Sequence, residues 1–402
     1  MSPHVLIVGA GLGGLTLAQC LRKQGASFEI FERDIDDQSR AQGWAIGLHS
    51  MLDELQSSMP SDLPDLRESV HHLSPLKLNT QLCMYIRGDR VGVQDTPETP
   101  VLRANRARLR GWLSTNLPIH WGKQLQHIEE TGDGKICLHF ADGTNASGDV
   151  LVGADGVHSV VREHVLQRPN DEVLNLIPTS TIIGEVHLSG AAFERQLSLG
   201  HSCYVVAAPS SSARLFVGLQ QANDDGNSGE YYWFFMTYDE EAGRPNHWLR
   251  TASRQEKLDY AKKTAAEMDS KFTEIMELTP ASGIKDTFFT HRDAEIRSLP
   301  TGRVALVGDA AHPMTPFRGE GGCHAITDAL NLSKVLGKIE KGENGAIAAV
   351  IEGYHAEVLE RGSNAVLSSR NAHKTMGQKP PVGWGYTVVP IPEERIVLSA
   401  LK

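Results

Sequence analysis

A glycine-rich turn near the N-terminus constrains the fold more than any other feature of this sequence. Residues 4–8 form a β-rich apolar run, residues 9–14 contain four glycines, and residues 15–23 have helical periodicity. Residues 28–31 then alternate as a second strand. This order of strand, glycine turn, helix and strand predicts a compact βαβ unit, and with it an α/β fold of Rossmann type.

The glycines of this turn have the spacing of a dinucleotide-binding motif. Gly9 permits the tight bend, Gly11 lets the backbone approach a pyrophosphate, and Gly14 lets helix and strand pack closely. Glu32 follows the second strand 18 residues past Gly14, where a carboxylate can bind a ribose diol. We therefore predict dinucleotide binding, with NAD or FAD favoured over NADP because an acid opposes a 2′-phosphate. A merely tight turn is the alternative interpretation.

The composition excludes several other classes of protein. The 402 residues are 40% hydrophobic and 22% charged, which is typical of a soluble globular protein with two or three domains. A net charge of −10 without a basic stripe disfavours nucleic acids and anionic membranes as partners. We predict a cytoplasmic protein, because no apolar run is long enough for a membrane span and the five scattered cysteines lack a disulfide or CxxC spacing. The histidines show no metal-ligand spacing, so no metal site is predicted.

Two further turns combine the end of a strand with an aspartate. Asp155 lies in Gly-Ala-Asp-Gly after a predicted strand at residues 149–152, and Asp309 lies in Gly-Asp-Ala-Ala-His-Pro after one at 304–307. Beyond Asp309 the chain passes through Pro316 to a second glycine-rich helix start. Each turn is common when taken in isolation, and its usual role is structural.

Residues 176–238 differ in character from the rest of the chain. They contain four strand-like runs and no strong helical pattern, which predicts a mainly antiparallel sheet inserted into the α/β frame. Residues 231–235 form an aromatic cluster, Tyr-Tyr-Trp-Phe-Phe. Alternate residues of a strand face opposite sides, so Tyr232 either lines a pocket or completes a core.

In this order, the three turns resemble those of the single-component FAD-dependent aromatic hydroxylases, the para-hydroxybenzoate hydroxylase-like group A flavoprotein monooxygenases. The fungal members that act in secondary metabolism are the most similar. The stretches that carry the resemblance are residues 4–33, 106–113, 150–162 and 303–330.

The resemblance implies a Rossmann-type FAD-binding domain, an inserted, mainly antiparallel substrate domain and C-terminal helices. We accordingly expect a discontinuous FAD-binding domain at residues 1–75, 100–175 and 285–370. We expect the substrate-binding sheet domain at 76–99 and 176–284, and a C-terminal tail at 371–402.

The resemblance also implies which residues hold FAD, without a covalent bond. The pyrophosphate would lie on the glycine turn, the adenosine ribose on Glu32 and the ribityl chain on Asp309. Asp155 matches a motif that serves both FAD and NAD(P)H. The full set of implied cofactor-binding residues is Gly9, Gly11, Gly14, Glu32, Arg33, Gly43, Arg106, Asp155, Asp309, Gly321 and Gly322.

The activity that the resemblance implies is the insertion of one oxygen atom into an aromatic or polyketide-like small molecule. NADH or NADPH would reduce the flavin, and O2 would form a C4a-hydroperoxyflavin. No catalytic side chain is identified; His49, Tyr232 and Pro316 are candidates for the pocket, with ordinary packing as the alternative. Baeyer–Villiger insertion, epoxidation or dehydrogenation on the same frame stays open, as do a non-enzymatic flavin-binding role, the substrate and the oligomeric state.

One residue departs from the pattern of the family. Cys323 stands after Gly321-Gly322, where the family usually carries an asparagine. A cysteine at a helix N-terminus can have a lowered pKa, so a thiolate could interact with the flavin. The alternative is that Cys323 packs as a small apolar side chain.

Overall fold

The computed structural model describes residues 3–39, 43–132, 134–339, 344–375 and 388–401. Its strands are β1 (Val5–Val8), β2 (Phe28–Phe31), β3 (Ala45–Leu48), β4 (Gln81–Ile86), β5 (Asp89–Gln94), β6 (Leu102–Asn105), β7 (Ile119–His120), β8 (Leu125–Glu130), β9 (Ile136–Phe140), β10 (Asn145–Gly148), β11 (Val150–Gly153), β12 (Asn175–Leu176), β13 (Thr179–Ser189), β14 (Cys203–Ala207), β15 (Arg214–Ala222), β16 (Ser228–Tyr238), β17 (Arg292–Asp293), β18 (Val304–Leu306) and β19 (Val389–Pro390). Its α-helices are α1 (Leu12–Gln24), α2 (Leu52–Ser58), α3 (Leu66–Val70), α4 (Arg106–Ser114), α5 (Val160–Leu166), α6 (Asn170–Val173), α7 (Gly190–Leu199), α8 (Arg254–Thr264), α9 (Ser270–Leu278), α10 (Gly321–Leu336) and α11 (Asn344–Thr375).

A parallel sheet in the order β18–β11–β1–β2–β7 forms the centre of one half of the molecule. Its strand β1 is buried along its whole length. Val5 and Ile7 pack in a core cluster with α1 and α10, whereas Leu6 and Val8 pack in another with β8 and β9. A strand buried on both faces is typical of a parallel sheet that is covered on both sides. The predicted Rossmann-type α/β fold is confirmed.

Helix α1 shows how the glycine turn leads into this sheet. The helix begins at Leu12, so the last two glycines of the turn lie inside its first turn, earlier than the periodicity predicted. Gly25 ends the helix in the left-handed conformation, with a φ of 67°, as predicted.

The other half of the molecule is built on a sheet in the order β13–β16–β15–β14–β4–β5–β19. Its pairs are antiparallel apart from β14–β4, so the prediction of a mainly antiparallel sheet is confirmed. Helices α7, α8 and α9 cover one face, where Phe193, Leu258 and Phe272 join a large apolar core. The opposite face is turned towards the first half of the molecule.

The expectation that residues 176–238 contain no strong helix is wrong, because α7 lies there. Its buried residues Phe193, Gln196 and Leu197 have the i, i+3, i+4 spacing of one helical face. The helix has only 10 residues and lies between two strand patterns, and these dominate the sequence signal.

A two-stranded ribbon lies at the junction of the two halves. Strands β3 and β6 pair antiparallel. A Cβ on Gly322 of α10 would lie 2.1 Å from Ile46 Cδ1, and one on Gly47 would lie 3.7 Å from Leu82 Cδ1 of β4. The ribbon therefore contacts α10 and the large sheet together.

The segment 388–401 packs along the edge of the large sheet. Strand β19 pairs antiparallel with β5, and Ile391, Ile396 and Leu398 are buried. The Arg90 guanidinium donates to the Pro392 carbonyl at 2.8 Å. The division of the chain at the domain boundaries given above stays a prediction.

The helices within the described residues were compared with the length and hydropathy that a bilayer requires. None of them meets both requirements for crossing a membrane.

Candidate active site

Two glycines of the glycine turn lie in close contact with protein backbone, and a third has free space beside it. Gly9 has a φ of 108°, and a Cβ on it would lie 2.3 Å from the Ala154 carbonyl oxygen. A Cβ on Gly14 would lie 2.0 Å from the Gly9 carbonyl oxygen. Gly11, the N-cap of α1, has an ordinary extended conformation (φ −82°, ψ −176°), and a Cβ there would meet no atom within 4 Å. Open space therefore lies in front of the α1 N-terminus at Gly11.

Glu32 reaches this turn from the end of β2. Its carboxylate is buried and accepts hydrogen bonds from the backbone N–H of Ala10 at 2.8 Å and of Asp34 at 3.1 Å. Arg110 of α4 fixes the turn from the other side, donating to the Ala10 carbonyl at 3.1 Å, a contact that the sequence did not predict. Arg33 is exposed beside Glu32.

Asp309 lies in a recess that is open to solvent and crowded by protein. Part of the Asp309 residue is exposed to solvent. The protein packed around it nevertheless raises the pKa of its carboxyl by burial, and the positive charges of His312 and Arg106 oppose that shift. A Cβ on Gly321, at the start of α10, would lie 4.0 Å from Asp309 Oδ1. A Cβ on Gly43 would lie 3.2 Å from Arg106 Nη1, so glycine leaves room for the arginine there. The structure thus brings four sequence-predicted residues from three separate segments together.

The Asp155 carboxylate accepts hydrogen bonds at the N-terminus of a helix. They come from the Ser159 hydroxyl and from the backbone N–H of Val160 and Val161 at the N-terminus of α5. Burial raises the pKa of Asp155, and these donors oppose that shift. Gly156, the next residue, has a φ of 85° and open space around it.

Arg162 ties the two aspartate turns to each other. This fully buried guanidinium donates to the carbonyl oxygens of Asp309 at 3.0 Å and Ala310 at 3.1 Å. It also donates to Asn170 Oδ1 and the Val157 carbonyl. The backbone of the turn at Asp309 is consequently fixed by hydrogen bonds from a buried side chain.

A second buried network supports the same turn. Asp328 of α10 accepts from the Gly308 backbone N–H at 2.7 Å, from His312 Nε2 at 2.7 Å and from Arg361 of α11 at 2.7 Å. Asp328 raises the pKa of His312 by its charge and hydrogen bond, although burial acts in the opposite direction. His312 is therefore a structural residue. No local pattern could have revealed this network, because its members lie up to 53 positions apart in the chain.

The N-terminus of α10 carries a buried ion pair. Glu320 precedes the helix and receives two hydrogen bonds from Arg318, at 2.8 and 3.0 Å. Burial raises the pKa of Glu320, and Arg318 opposes the shift. Gly321 and Gly322 follow as the first helical residues, with no side chains to cover their N–H groups.

His49 and Cys323 lie beside this helix end. Burial, with a smaller effect of Arg318, lowers the pKa of His49 to about 4, so the ring is neutral at pH 7. The Cys323 thiol donates to the Gly47 carbonyl at 3.2 Å, and burial raises its pKa to about 12. The thiol is therefore protonated at neutral pH, which favours packing over a thiolate role.

The aromatic cluster divides between the two faces of its sheet. Tyr231, Trp233 and Phe235 join the apolar core under α7–α9. Tyr232 and Phe234 face the other half of the molecule. Tyr232 is buried, so other side chains cover its ring on this face.

The ribbon covers one end of this second face. Trp44 stacks on Tyr232 with ring centroids 5.0 Å apart and meets Phe234 edge-on at 5.1 Å. Phe216 of β15 stacks with Phe234 at 5.6 Å. Arg103 of β6 donates to the Tyr232 hydroxyl and lies 5.6 Å from the Phe216 ring centre.

Pro316 begins a short 3-10 turn, Pro316–Arg318, at the other end of this face. Pro316 itself is exposed. The neighbouring Phe317 ring lies 5.3 Å from that of His291, which shares a 2.7 Å hydrogen bond with Thr181 of β13. This turn, which leads into α10, is therefore linked to the large sheet through His291.

A separate cavity of about 420 Å³ lies between α11 and residues 295–301. Glu295, His355 and Glu360 are among its lining residues. It contains none of the residues that the sequence predicts for the site.

Comparison with known proteins gives one family and several relatives. Residues 3–369 match a family described as FAD binding domain. The FAD-dependent monooxygenase thnD of Trichoderma harzianum is 49% identical, over 99% of this chain and 100% of its own length. The FAD-dependent monooxygenase dbaB of Emericella nidulans is 28% identical, over 86% of this chain and 90% of its own.

Two solved structures have a similar fold. HpxO of Klebsiella pneumoniae, in complex with FAD and uric acid, has a TM-score of 0.71 at 22% identity, covering 94% of this chain and 89% of its own. The 2,6-dihydroxypyridine-3-hydroxylase of Arthrobacter nicotinovorans has a TM-score of 0.71 at 18% identity, covering 99% of this chain and all of its own. At these identities the likeness is one of fold.

Proposed function

This chain belongs to the FAD binding domain family, and we propose that the glycine turn, the recess at Asp309 and the N-terminus of α10 form its single FAD site. The protein is an FAD-dependent monooxygenase with NADH or NADPH as reductant, in keeping with its 49% identical fungal relative. We propose an aromatic small molecule as its substrate, bound between α10 and the aromatic face of the large sheet.

Gly11 is the observation that carries the cofactor site. Close contacts inside the protein explain why positions 9 and 14 require glycine. Gly11, by contrast, has an ordinary backbone conformation and no neighbour that a side chain would touch. Its lack of a side chain keeps open the space before the α1 N-terminus, where backbone N–H groups and the helix dipole favour an anion. A diphosphate fits this space in both size and charge.

The recess at Asp309 fits the central part of the same cofactor. An exposed carboxylate in such a recess can accept hydrogen bonds from the hydroxyl groups of a ligand, which replace those of the water that the ligand displaces. Arg106 lies on the same side and adds a positive charge next to the carboxylate. Glu32 would hold the ribose at the other end with lone pairs that its two backbone hydrogen bonds leave free.

Bound FAD supplies the redox chemistry that transfers one atom of O2 to the substrate. The chain's own part is to bind and to position. The uncovered N–H groups of Gly321 and Gly322 stabilise a nearby negative charge, by about 0.3–1 kcal/mol and at most about 2 kcal/mol. Trp44 packed on Tyr232 keeps water away from the end of the cleft next to the ribbon, which protects reactive species.

A glycine substitution tests this assignment. Gly11→Ala should raise the dissociation constant of FAD at least tenfold, because the new methyl group enters the diphosphate space, while the melting temperature of the FAD-free protein stays unchanged. The matched control is Gly111→Ala on the exposed side of α4, where a Cβ also meets no atom within 4 Å. FAD titration by fluorescence quenching measures both. Equal FAD affinity of Gly11→Ala and wild type would refute the proposed site.

The reaction type is tested with isotopic oxygen. A compound that stimulates NADH or NADPH oxidation should give a product containing one ¹⁸O atom when the reaction is run under ¹⁸O2. Loss of two hydrogens without added oxygen would identify a dehydrogenase instead. The position of the new oxygen, read by fragmentation, separates hydroxylation from Baeyer–Villiger insertion.

A further inference from the structure

The cavity of about 420 Å³ between α11 and residues 295–301 is elongated along the helix. Its lining residues on α11 run from Glu352 to Leu367. At about 1.5 Å per residue, this stretch of helix is roughly 22 Å long. The Ser363 hydroxyl joins the two walls, because it donates to the Ile296 carbonyl at 3.3 Å. A space of this volume and length fits an extended small molecule.

Two carboxylates on the α11 wall have no counter-ion in the part of the chain that the structure describes. Glu352 and Glu360 both line the cavity, and neither forms an ion pair there. On the opposite wall, Glu295 is paired with Arg297 at 3.0 Å and with Arg370 at 2.7 Å. The step from Glu352 to Glu360 corresponds to about 12 Å along the helix. The cavity therefore presents two separate negative charges to a ligand.

His355 lies between these two acids in the sequence and lines the same cavity. The residue is only 5% exposed, and its Nε2 is buried without a hydrogen-bond partner among the described residues. Burial lowers the pKa of the ring to about 4, so the ring is uncharged at pH 7 and does not repel a cation. A neutral imidazole has one nitrogen that accepts a hydrogen bond. The wall thus has an acceptor group between its two negative charges.

Apolar side chains separate these polar groups. Leu299 lines the cavity on one wall, and Ala356 and Leu359 line it on the other. Within the described residues, no group of acidic, histidine and cysteine side chains could hold a metal ion. A compact cation would reach one carboxylate and leave the apolar surface in contact with water. Alternating charge and apolar surface instead matches a methylene chain that carries nitrogen atoms at intervals.

The cavity is on the side of α11 that faces away from the proposed FAD site. Tyr354 donates to the Leu306 carbonyl of β18 at 2.8 Å, and Arg361 donates to Asp328 of α10 at 2.7 Å. At 3.6 residues per turn, each of these two side chains lies about half a turn around the helix from the cavity-lining residue two positions earlier. The helix therefore separates a ligand in the cavity from the proposed FAD site.

We propose that this cavity binds a linear aliphatic polyamine. Its terminal ammonium groups bind Glu352 and Glu360, and an inner nitrogen donates to His355. Its methylene groups contact Leu299 and Leu359. An extended chain of nine bonds, at roughly 1.25 Å per bond, spans about 11 Å, which matches the step between the two acids. The inference goes beyond the proposed function, because these residues are separate from the proposed FAD site.

Calorimetric titration of the FAD-loaded protein with spermidine at pH 7 tests the proposal. The comparison compounds have the same length: 1,8-diaminooctane lacks the inner nitrogen, and 1,8-octanediol lacks all charge. A salt concentration of about 0.15 M screens the general attraction of cations to this acidic chain. We expect one equivalent of spermidine to bind at least tenfold more tightly than the diol.

Neutral variants locate the charges responsible. Glu352→Gln and Glu360→Gln should each weaken spermidine binding about fivefold, because the amide keeps the shape of the side chain and removes its charge. The double variant should weaken binding at least tenfold. The matched control is Glu98→Gln, which removes the same charge from an exposed residue outside the cavity and should bind spermidine as wild type does.

A substitution of His355 tests the inner contact. His355→Phe keeps a planar ring and removes the nitrogen atoms. It should weaken spermidine binding about three- to tenfold and leave the affinity for 1,8-diaminooctane unchanged, since only spermidine has an inner nitrogen. The unchanged diamine affinity shows at the same time that the cavity is intact. Equal spermidine affinity of His355→Phe and wild type would contradict the choice of a polyamine.

Three further results would overturn the proposal. Spermidine binds wild-type protein no more tightly than the diol does, the double glutamine variant binds it as wild type does, or Glu98→Gln weakens binding as much as the cavity variants do. Each of these results leaves the proposed function intact, because FAD is bound in every sample. Failure of the wild-type protein to bind FAD would instead contradict the proposed function.

Discussion

The proposed FAD-binding region and the face of the large sheet turned towards it differ in whether their buried charged side chains form ion pairs. Around the Asp309 turn, Asp328 is held by a backbone N–H, by His312 and by Arg361. On the sheet face opposite, Arg103 lies against the rings of Phe216 and Tyr232, and neither Arg103 nor Arg214 forms an ion pair among the described residues. The comparison indicates that the charges of the first region are paired within the protein, whereas the two arginines of the second have no ion pair among the described residues. The predictions below test this difference.

The largest effect should come from an arginine in the first region. Arg162→Met removes the donors to the Asp309 and Ala310 carbonyls and to Asn170, and leaves these buried acceptors unpaired. We expect a loss of about 3–5 kcal/mol in the free energy of unfolding. Urea denaturation of Arg162→Met beside Arg214→Met measures the contrast directly. Equal stability of the two variants would show that the two regions do not differ.

A pH effect of similar size should come from His49. Its pKa is about 4 in the folded protein and near 6.5 when unfolded, so the unfolded state takes up the proton first as the pH falls. The stability that depends on His49 is complete above pH 6.5, is lost between pH 6.5 and 4, and amounts to about 3 kcal/mol. His49→Gln should flatten the dependence of unfolding free energy on pH by that amount. An unchanged slope would mean that His49 is solvated rather than buried against α10.

A smaller effect is expected for Asp309, which lies in the proposed FAD site. Asp309→Asn keeps the shape of the side chain and removes its charge, so FAD should bind ten- to a hundredfold more weakly, or about 1.5–3 kcal/mol, with little change in melting temperature. The control is Asp259→Asn on the exposed side of α8. If Asp309→Asn unfolds the protein instead, Asp309 belongs to the framework.

The smallest effect is expected for Cys323. Its protonated thiol makes one weak hydrogen bond, to the Gly47 carbonyl. Cys323→Ala and Cys323→Asn should both retain FAD and most of the activity, with a change in stability of about 1 kcal/mol. Steady-state kinetics on the two variants decides this. A fall in turnover of about two powers of ten for Cys323→Ala with FAD still bound, near 2.7 kcal/mol, would mean that the thiol takes part in the chemistry.

Local patterns predicted the features that depend on neighbours in the chain. The β1–turn–α1 unit and the glycine start of α10 follow from glycine conformation and helix periodicity, both of which are local. The role of Gly14 also follows, because it closes on the Gly9 backbone of the turn itself, whereas the backbone that Gly9 meets belongs to Ala154, far away in the chain.

The features that were missed depend on distant parts of the chain. Arg361 reaches Asp328 from another helix, and Arg214 is recognisable as unpaired only once the residues packed around it are known. The sequence shows an arginine in both cases and cannot show which of the two has an acid beside it. Helix α7 was missed for a different reason, its short length between two long strands.

The central claim is that this chain holds FAD, without a covalent bond, on the glycine turn and in the Asp309 recess. Acid precipitation of the purified, yellow protein followed by analysis of the supernatant tests it most directly, with Gly11→Ala purified in parallel. The account predicts an equimolar amount of free FAD from wild-type protein and much less from Gly11→Ala. Flavin that stays with the pellet, or equal FAD from both proteins, would contradict it.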